Sequence, residues 1–207
     1  SVGVATALMG TVLVYFVSRH TGGDAATALN WSSLVERAPA LDPGALRVAM
    51  GFVVVGYGTK AGLAPAHSWL PDAYSQAPAP VAALMSGSLS AMSMYALLRF
   101  KVVADITLGP DFVRTLLLIA ALTSLVVAAS LMVTQRDYKR LLAYSSVEHM
   151  GLIALAAAIG SPLAMSAALL HMVGNGLGKS VTFASTGELL FATGTTRIGD
   201  VRGLLHQ

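Results

Sequence analysis

The run HMVGNGLGK, residues 171–179, sets His171, Asn175 and Lys179 at i, i+4 and i+8, which is one face of a helix. Small residues flank this polar column and permit close helix packing or water. Desolvation disfavours an ammonium ion, so a lysine in such surroundings can exchange its proton close to neutral pH, as a proton relay requires. The alternative is a polar seam that only joins helices, for which an asparagine or a serine would do and a lysine is not needed. A second run, YSSVEHMG at 144–151, puts Glu148 and His149 in the middle of another apolar segment. A third, GYGTKAGLAPAHSWLPDAYSQAPAP at 56–80, begins as an apolar helix, carries Lys60 and is then interrupted by Pro65 and Pro71. Proline removes a backbone donor and frees a carbonyl one turn earlier. Helices broken at membrane depth survive where neighbours or water satisfy the freed groups, and they recur in ion-coupled transporters. The other reading of this stretch is a helix that ends at Gly62 and is followed by an ordinary proline-rich loop.

The elements that must position these groups are apolar. Of 207 residues 55% are hydrophobic and only 11% are charged, with mean hydropathy +0.70. A soluble domain would carry about a quarter charged residues, so the bilayer is the solvent to consider first. The net charge of +3 and the absence of a basic run give no reason to expect nucleic acid. With no cysteine, the chain holds no disulfide, thiolate-bound iron–sulfur cluster or c-type haem. His149 and His171 could in principle ligate a b-type haem, but each segment offers one histidine and the paired spacing of di-haem helices is missing. No cofactor and no metal site is therefore expected, and any redox chemistry is carried elsewhere.

Six apolar blocks approach the length of about 20 residues that a span needs. They are 1–18, 44–63, 81–100, 112–134, 141–160 and 163–191. A short interfacial helix is expected within NWSSLVERAPALDP, and a half-helix at 66–76. The last block is longer than a bilayer requires, so tilt or a distorted middle is expected, the distortion at the glycines 174, 176 and 178. Alternating spans would place Arg19, Arg37, Arg47, Arg99, Lys101 and Arg114 on one side and Arg136, Lys139, Arg140, Arg197 and Arg202 on the other, which leaves sidedness open. Glu188, near the end of its block, can reach the interface by snorkelling. The opening SVGVATALMG and the closing RIGDVRGLLHQ give the expectation of a fragment, truncated at both ends, of one larger transmembrane domain.

Four stretches carry a family resemblance: TKAGLAPAHSWLPDAYSQAPAPVAALMSG, QRDYKRLLAYSSVEHMG, LLHMVGNGLGKSVTFASTG and TTRIGDVRGL. In order and over nearly the whole chain they resemble the antiporter-like membrane subunits of respiratory complex I, membrane-bound hydrogenases and multisubunit sodium/proton antiporters. YSSVEHMG looks most like the antiporter-like membrane component of hydrogenase-4 and formate hydrogenlyase. The resemblance implies an all-α membrane protein of about fourteen spans in inverted repeats, of which this window holds spans six to eleven, one of them broken. It implies a multi-pass protein of the cell inner membrane that moves protons, or else sodium, alongside other membrane subunits and a peripheral redox arm. Such a chain is a non-catalytic part of an oxidoreductase complex; a subunit of a sodium/proton antiporter and a structural anchor are the alternatives. Position by position, Lys60 matches the lysine of broken span seven, and Lys179 and His171 match the central lysine of span eleven and the histidine before it. Asp137 and Lys139 match a charged pair at the cytoplasmic end of span ten. Ser86 and Asn175 stand where many relatives have histidines, so the link from Lys60 to Lys179 is left to serine, asparagine, water or the Glu148–His149 pair.

Overall fold

The computed structural model describes residues 2–22 and 24–201, so Arg202 lies outside the described residues. Among these every regular element is helical, as the apolar runs require. The order is α1 (Val2–His20), α2 (Trp31–Arg37), α3 (Pro43–Ala61), α4 (Trp69–Gln76), α5 (Ala79–Leu84), α6 (Ser90–Leu108), α7 (Asp111–Val133), α8 (Tyr138–Ile159) and α9 (Pro162–Thr193). A π-helical segment, Met85–Leu89, joins α5 to α6 without a break, so six continuous helical stretches reach spanning length among the described residues. Four of them, α1, the joined α5–α6, α7 and α8, are both long and apolar enough to cross a membrane. α3 and α9 have the length, but Arg47 and Lys60 in the one and His171, Asn175 and Lys179 in the other make them less apolar.

The starts and stops follow local chemistry. Asp42 caps α3 by accepting from the Ala45 N–H at 2.7 Å, and Asp137 and Ser161 cap α8 and α9 in the same way. α3 stops at Gly62, whose φ of +93° only glycine adopts readily; its N–H and that of Leu63 return to the Gly58 carbonyl at 3.0 and 2.8 Å. Pro65 lies in the gap between α3 and α4, whereas Pro71 falls inside the first turn of α4, where its missing N–H removes no helical bond. The interruption is thus made by a glycine cap followed by a short gap. In that gap the Ala64 N–H donates to Ser124 Oγ of α7 at 2.8 Å, so a backbone group freed by the break finds a partner.

The expected distortion of α9 does not occur at 174–178, because α9 runs as one α-helix from Pro162 to Thr193. The irregular turn lies instead in Met85–Leu89, packed against it. The two glycines there serve proximity. A Cβ on Gly176 would meet the Gly87 carbonyl oxygen at 2.8 Å, and one on Gly87 would meet Ser180 Oγ at 1.9 Å. One core, built on Val53, Met94, Leu97, Leu117 and Met150, joins α1, α3, α6, α7 and α8. A smaller one, with Leu70, Tyr74, Val147 and Phe183, seats the half-helix α4 against α8 and α9.

Candidate functional site

The α8–α9 hairpin carries most of the ionisable groups that an apolar chain would otherwise avoid. His149 on α8 and His171 on α9 meet directly, Nδ1 to Nε2 at 3.0 Å, with ring centroids 5.1 Å apart. One ring nitrogen must donate and the other accept, so the tautomers of the two rings are linked. Among the described residues no group of three or more His, Cys, Asp or Glu side chains could hold a metal ion.

Below the histidines, α9 continues the column that its spacing predicts. His149, His171, Asn175, Lys179 and Thr182 line one groove of about 570 Å³. Lys179 is buried, and its ammonium donates to the Leu142 carbonyl of α8 at 3.2 Å. Glu148 lies within electrostatic range of both Lys179 and His149, yet forms no ion pair with either among the described residues. Asn175 is buried with neither end of its carboxamide hydrogen-bonded. A buried amide without partners is costly, and in a groove of this size it is a natural seat for water. The groove therefore offers titratable nitrogen from two facing helices and an unsatisfied amide, with the Glu148 carboxylate within range.

Lys60 occupies a separate place. It stands half-buried in the last turn of α3, with its ammonium 5.5 Å from the centroid of the Trp69 ring at the start of α4. Trp69 is fixed in turn by its Nε1–H, which donates to the Thr59 carbonyl at 2.7 Å. Tyr74 follows on α4 and meets Trp69 edge-on. Its hydroxyl donates to the Met85 carbonyl at 3.2 Å and shares a hydrogen bond with Ser90 at 3.1 Å, spanning the π-helical turn. Ser86, inside that turn, is buried and donates to the Ala83 carbonyl. No hydrogen bond or ion pair among the described residues joins Lys60 to the α8–α9 group.

Asp137 and Lys139 sit at the start of α8 and form no ion pair with each other. Asp137 accepts from the Arg140 N–H and from the Thr196 hydroxyl, while the buried Lys139 donates to the Ala77 carbonyl at 2.9 Å. The neighbouring Arg140 pairs with Asp72 of α4 at 2.8 Å. Sequence reasoning singled out both histidines but not their direct bond, which depends on how two helices are rotated. It also passed over Trp69 and Tyr74. The usable signal for both was an aromatic residue on a half-helix flanked by a lysine and a run of serines.

The match to known proteins covers nearly all of the chain. The family model described as "NADH:quinone oxidoreductase/Mrp antiporter, TM" matches residues 8–207. The hydrogenase-4 component F homolog of Methylacidiphilum infernorum (isolate V4) is 42% identical over 203 residues, 98% of this chain and 43% of that protein. NADH-quinone oxidoreductase subunit N of Desulforudis audaxviator is 36% identical over 206 residues, 98% of this chain and 40% of that protein. Among solved structures, the membrane-bound sulfane sulfur reductase, an archaeal respiratory membrane complex, is similar with a TM-score of 0.86 at 30% identity, over 98% of this chain and 40% of that one. The Mrp complex from Dietzia sp. DQ12-45-1b, at 23% identity and a TM-score of 0.76 over 91% of this chain and 33% of that one, shares the fold. The chain thus spans less than half the length of these relatives.

Proposed function

Since the chain belongs to the NADH:quinone oxidoreductase/Mrp antiporter transmembrane family, we propose that it is the part of a larger membrane subunit that carries protons through buried side chains. The observation that carries this reading is the α8–α9 groove, where His149, His171, Asn175 and Lys179 line one continuous surface with Glu148 in range. Groups of this kind are expensive at membrane depth and mark ion pathways. In this reading a proton reaches Lys60 beside the broken helix, passes through hydrated space to Lys179 and His171, and exchanges with the cytoplasm near Asp137 and Lys139. The role of the protein is to hold the proton sites and to vary the fields around them. A unit change in pKa corresponds to about 1.4 kcal/mol, so small movements of a neighbouring charge suffice. Electron transfer in a peripheral redox arm, with further membrane subunits between, would supply those movements in the inner membrane.

The test uses the full-length parent in its complex, carrying Lys60→Met or Lys179→Met, in inverted membrane vesicles. Proton uptake per electron-transfer turnover is expected to fall while assembly stays normal. Unchanged pumping in both variants would sink the reading and leave a structural anchor. The family also includes Mrp antiporters, so a second reading is a sodium/proton antiporter subunit. Sodium-dependent proton flux in the absence of electron transfer would support that one.

A further inference from the structure

A groove at the end of the α8–α9 hairpin away from its turn is lined by two arginines. Gln135, Arg136, Arg197, Ile198, Gly199 and Asp200 line a space of about 600 Å³. Backbone bonds hold its walls together: the Ile198 N–H donates to the Arg136 carbonyl at 2.9 Å, and the Tyr138 N–H donates to the Thr196 carbonyl at 3.0 Å. Asp137 and Arg197 pair across this short ladder as an antiparallel bridge. Two carboxylates nearby could have neutralised the arginines, but both have partners. Asp137 is taken by the Thr196 hydroxyl and the Arg140 N–H, and Asp72 is taken by the Arg140 guanidinium. Asp200 is the remaining acidic group and lines the groove itself. Arg136 and Arg197 are exposed and form no ion pair among the described residues.

The level of this groove is fixed by the helices beside it. α7 and α8 are both long and apolar enough to span, and Arg136 sits in the turn between them, at the boundary of membrane and water. Large apolar side chains stand bare on the neighbouring helix ends: Val133, the last residue of α7, is 87% exposed and Phe191, in the last turn of α9, is 91% exposed. Cationic groups above exposed apolar helix ends match an amphiphile with an anionic head and hydrocarbon tails. An acidic protein surface would satisfy the arginines alone, whereas a phospholipid would also cover the bare Val133 and Phe191.

We propose that this groove seats the phosphodiester headgroup of an anionic phospholipid, with Arg136 and Arg197 on the phosphate and the acyl chains along the ends of α7 and α9. Bidentate guanidinium contacts suit a phosphate, and Asp200 tempers the affinity. The site is independent of proton transfer, and its failure would leave the transport reading untouched.

The experiment is native mass spectrometry of the purified, delipidated full-length parent complex titrated with phosphatidylglycerol or with phosphatidylcholine of the same chains. The wild type is expected to retain phosphatidylglycerol in preference to phosphatidylcholine. Arg136→Gln with Arg197→Gln is expected to weaken one phosphatidylglycerol adduct by about 25-fold, roughly five-fold for each arginine, with phosphatidylcholine unaffected. Asp200→Asn should strengthen the same adduct, a gain that a misfolded variant cannot give. Equal retention of both lipids by the wild type, or full retention of phosphatidylglycerol by the double variant, overturns the proposal. Displacement of the lipid by millimolar inorganic phosphate overturns it in favour of a soluble anion. Loss of a co-purifying subunit from the double variant, with the lipid adduct unchanged, overturns it in favour of a protein surface.

Discussion

His149 and His171, on two successive helices, share one hydrogen bond of 3.0 Å, and both line the groove that also holds Asn175 and Lys179. The pair joins α8 to α9 by a hydrogen bond as well as by packing.

His149→Phe or His171→Phe leaves the partner ring without its bond while keeping an aromatic shape. We expect each to reduce proton uptake per turnover at least ten-fold in vesicles of the parent complex, with the double variant no worse than either single one. Additive losses in the double variant would mean that the rings act separately.

Ser124→Ala removes the acceptor for the Ala64 N–H in the gap after α3. The orphaned backbone donor should cost about 1–3 kcal/mol. Thermal unfolding of the detergent-solubilised parent is the measurement, and Ser124→Thr, which keeps the hydroxyl, should recover most of the loss. A Ser124→Ala variant as stable as the wild type would show that the gap has another partner.

Gly176→Ala places a Cβ 2.8 Å from the Gly87 carbonyl oxygen, a backbone atom that cannot rotate away. Overpacking of this kind costs about 1–3 kcal/mol. Gly174→Ala, two residues earlier on the same helix, meets nothing within 4 Å and should be neutral or slightly stabilising in the same unfolding assay. Equal effects at the two positions would contradict the close approach of α9 to the π-helical turn.

Tyr74→Phe keeps the edge-on contact with Phe183 and deletes the hydroxyl that donates to the Met85 carbonyl. We expect a loss of about 1–3 kcal/mol, read as a lower unfolding temperature, because the hydrogen bonds to Met85 and Ser90 both disappear. Hydrogen exchange confined to Met85–Leu89 should rise with it. Unchanged exchange there would mean that the turn keeps its shape without the tyrosine.

Much of the helical order was legible because its causes are local. Long apolar runs, the caps at Asp42, Asp137 and Ser161, and the glycine stop at Gly62 are all written within a few residues of where they act. The column His171, Asn175, Lys179 was legible for the same reason, since helical spacing alone puts it on one face. The position of the irregular turn was not. Three glycines at 174–178 suggested a weak helix, yet the π-helical turn forms at Met85–Leu89, where Tyr74 from another element satisfies a carbonyl. Glycine content measures local permissiveness, whereas the distortion is stabilised by a tertiary bond. The half-buried setting of Lys60 beside the Trp69 ring was not legible, because it is set by how α4 folds back after the gap. The bond between His149 and His171 likewise depends on helix rotation, which no single segment encodes.

The α8–α9 hairpin is fastened at both of its ends. At one end the turn through Gly160 and Ser161 joins the helices; at the other, the Tyr138 N–H holds the Thr196 carbonyl and Asp137 holds the Thr196 hydroxyl. A pair of rods pinned at both ends can bow but cannot hinge, and bowing is greatest far from the pins. His149 and His171 lie along that interior stretch, so any bowing of the hairpin would act on the one hydrogen bond between their rings.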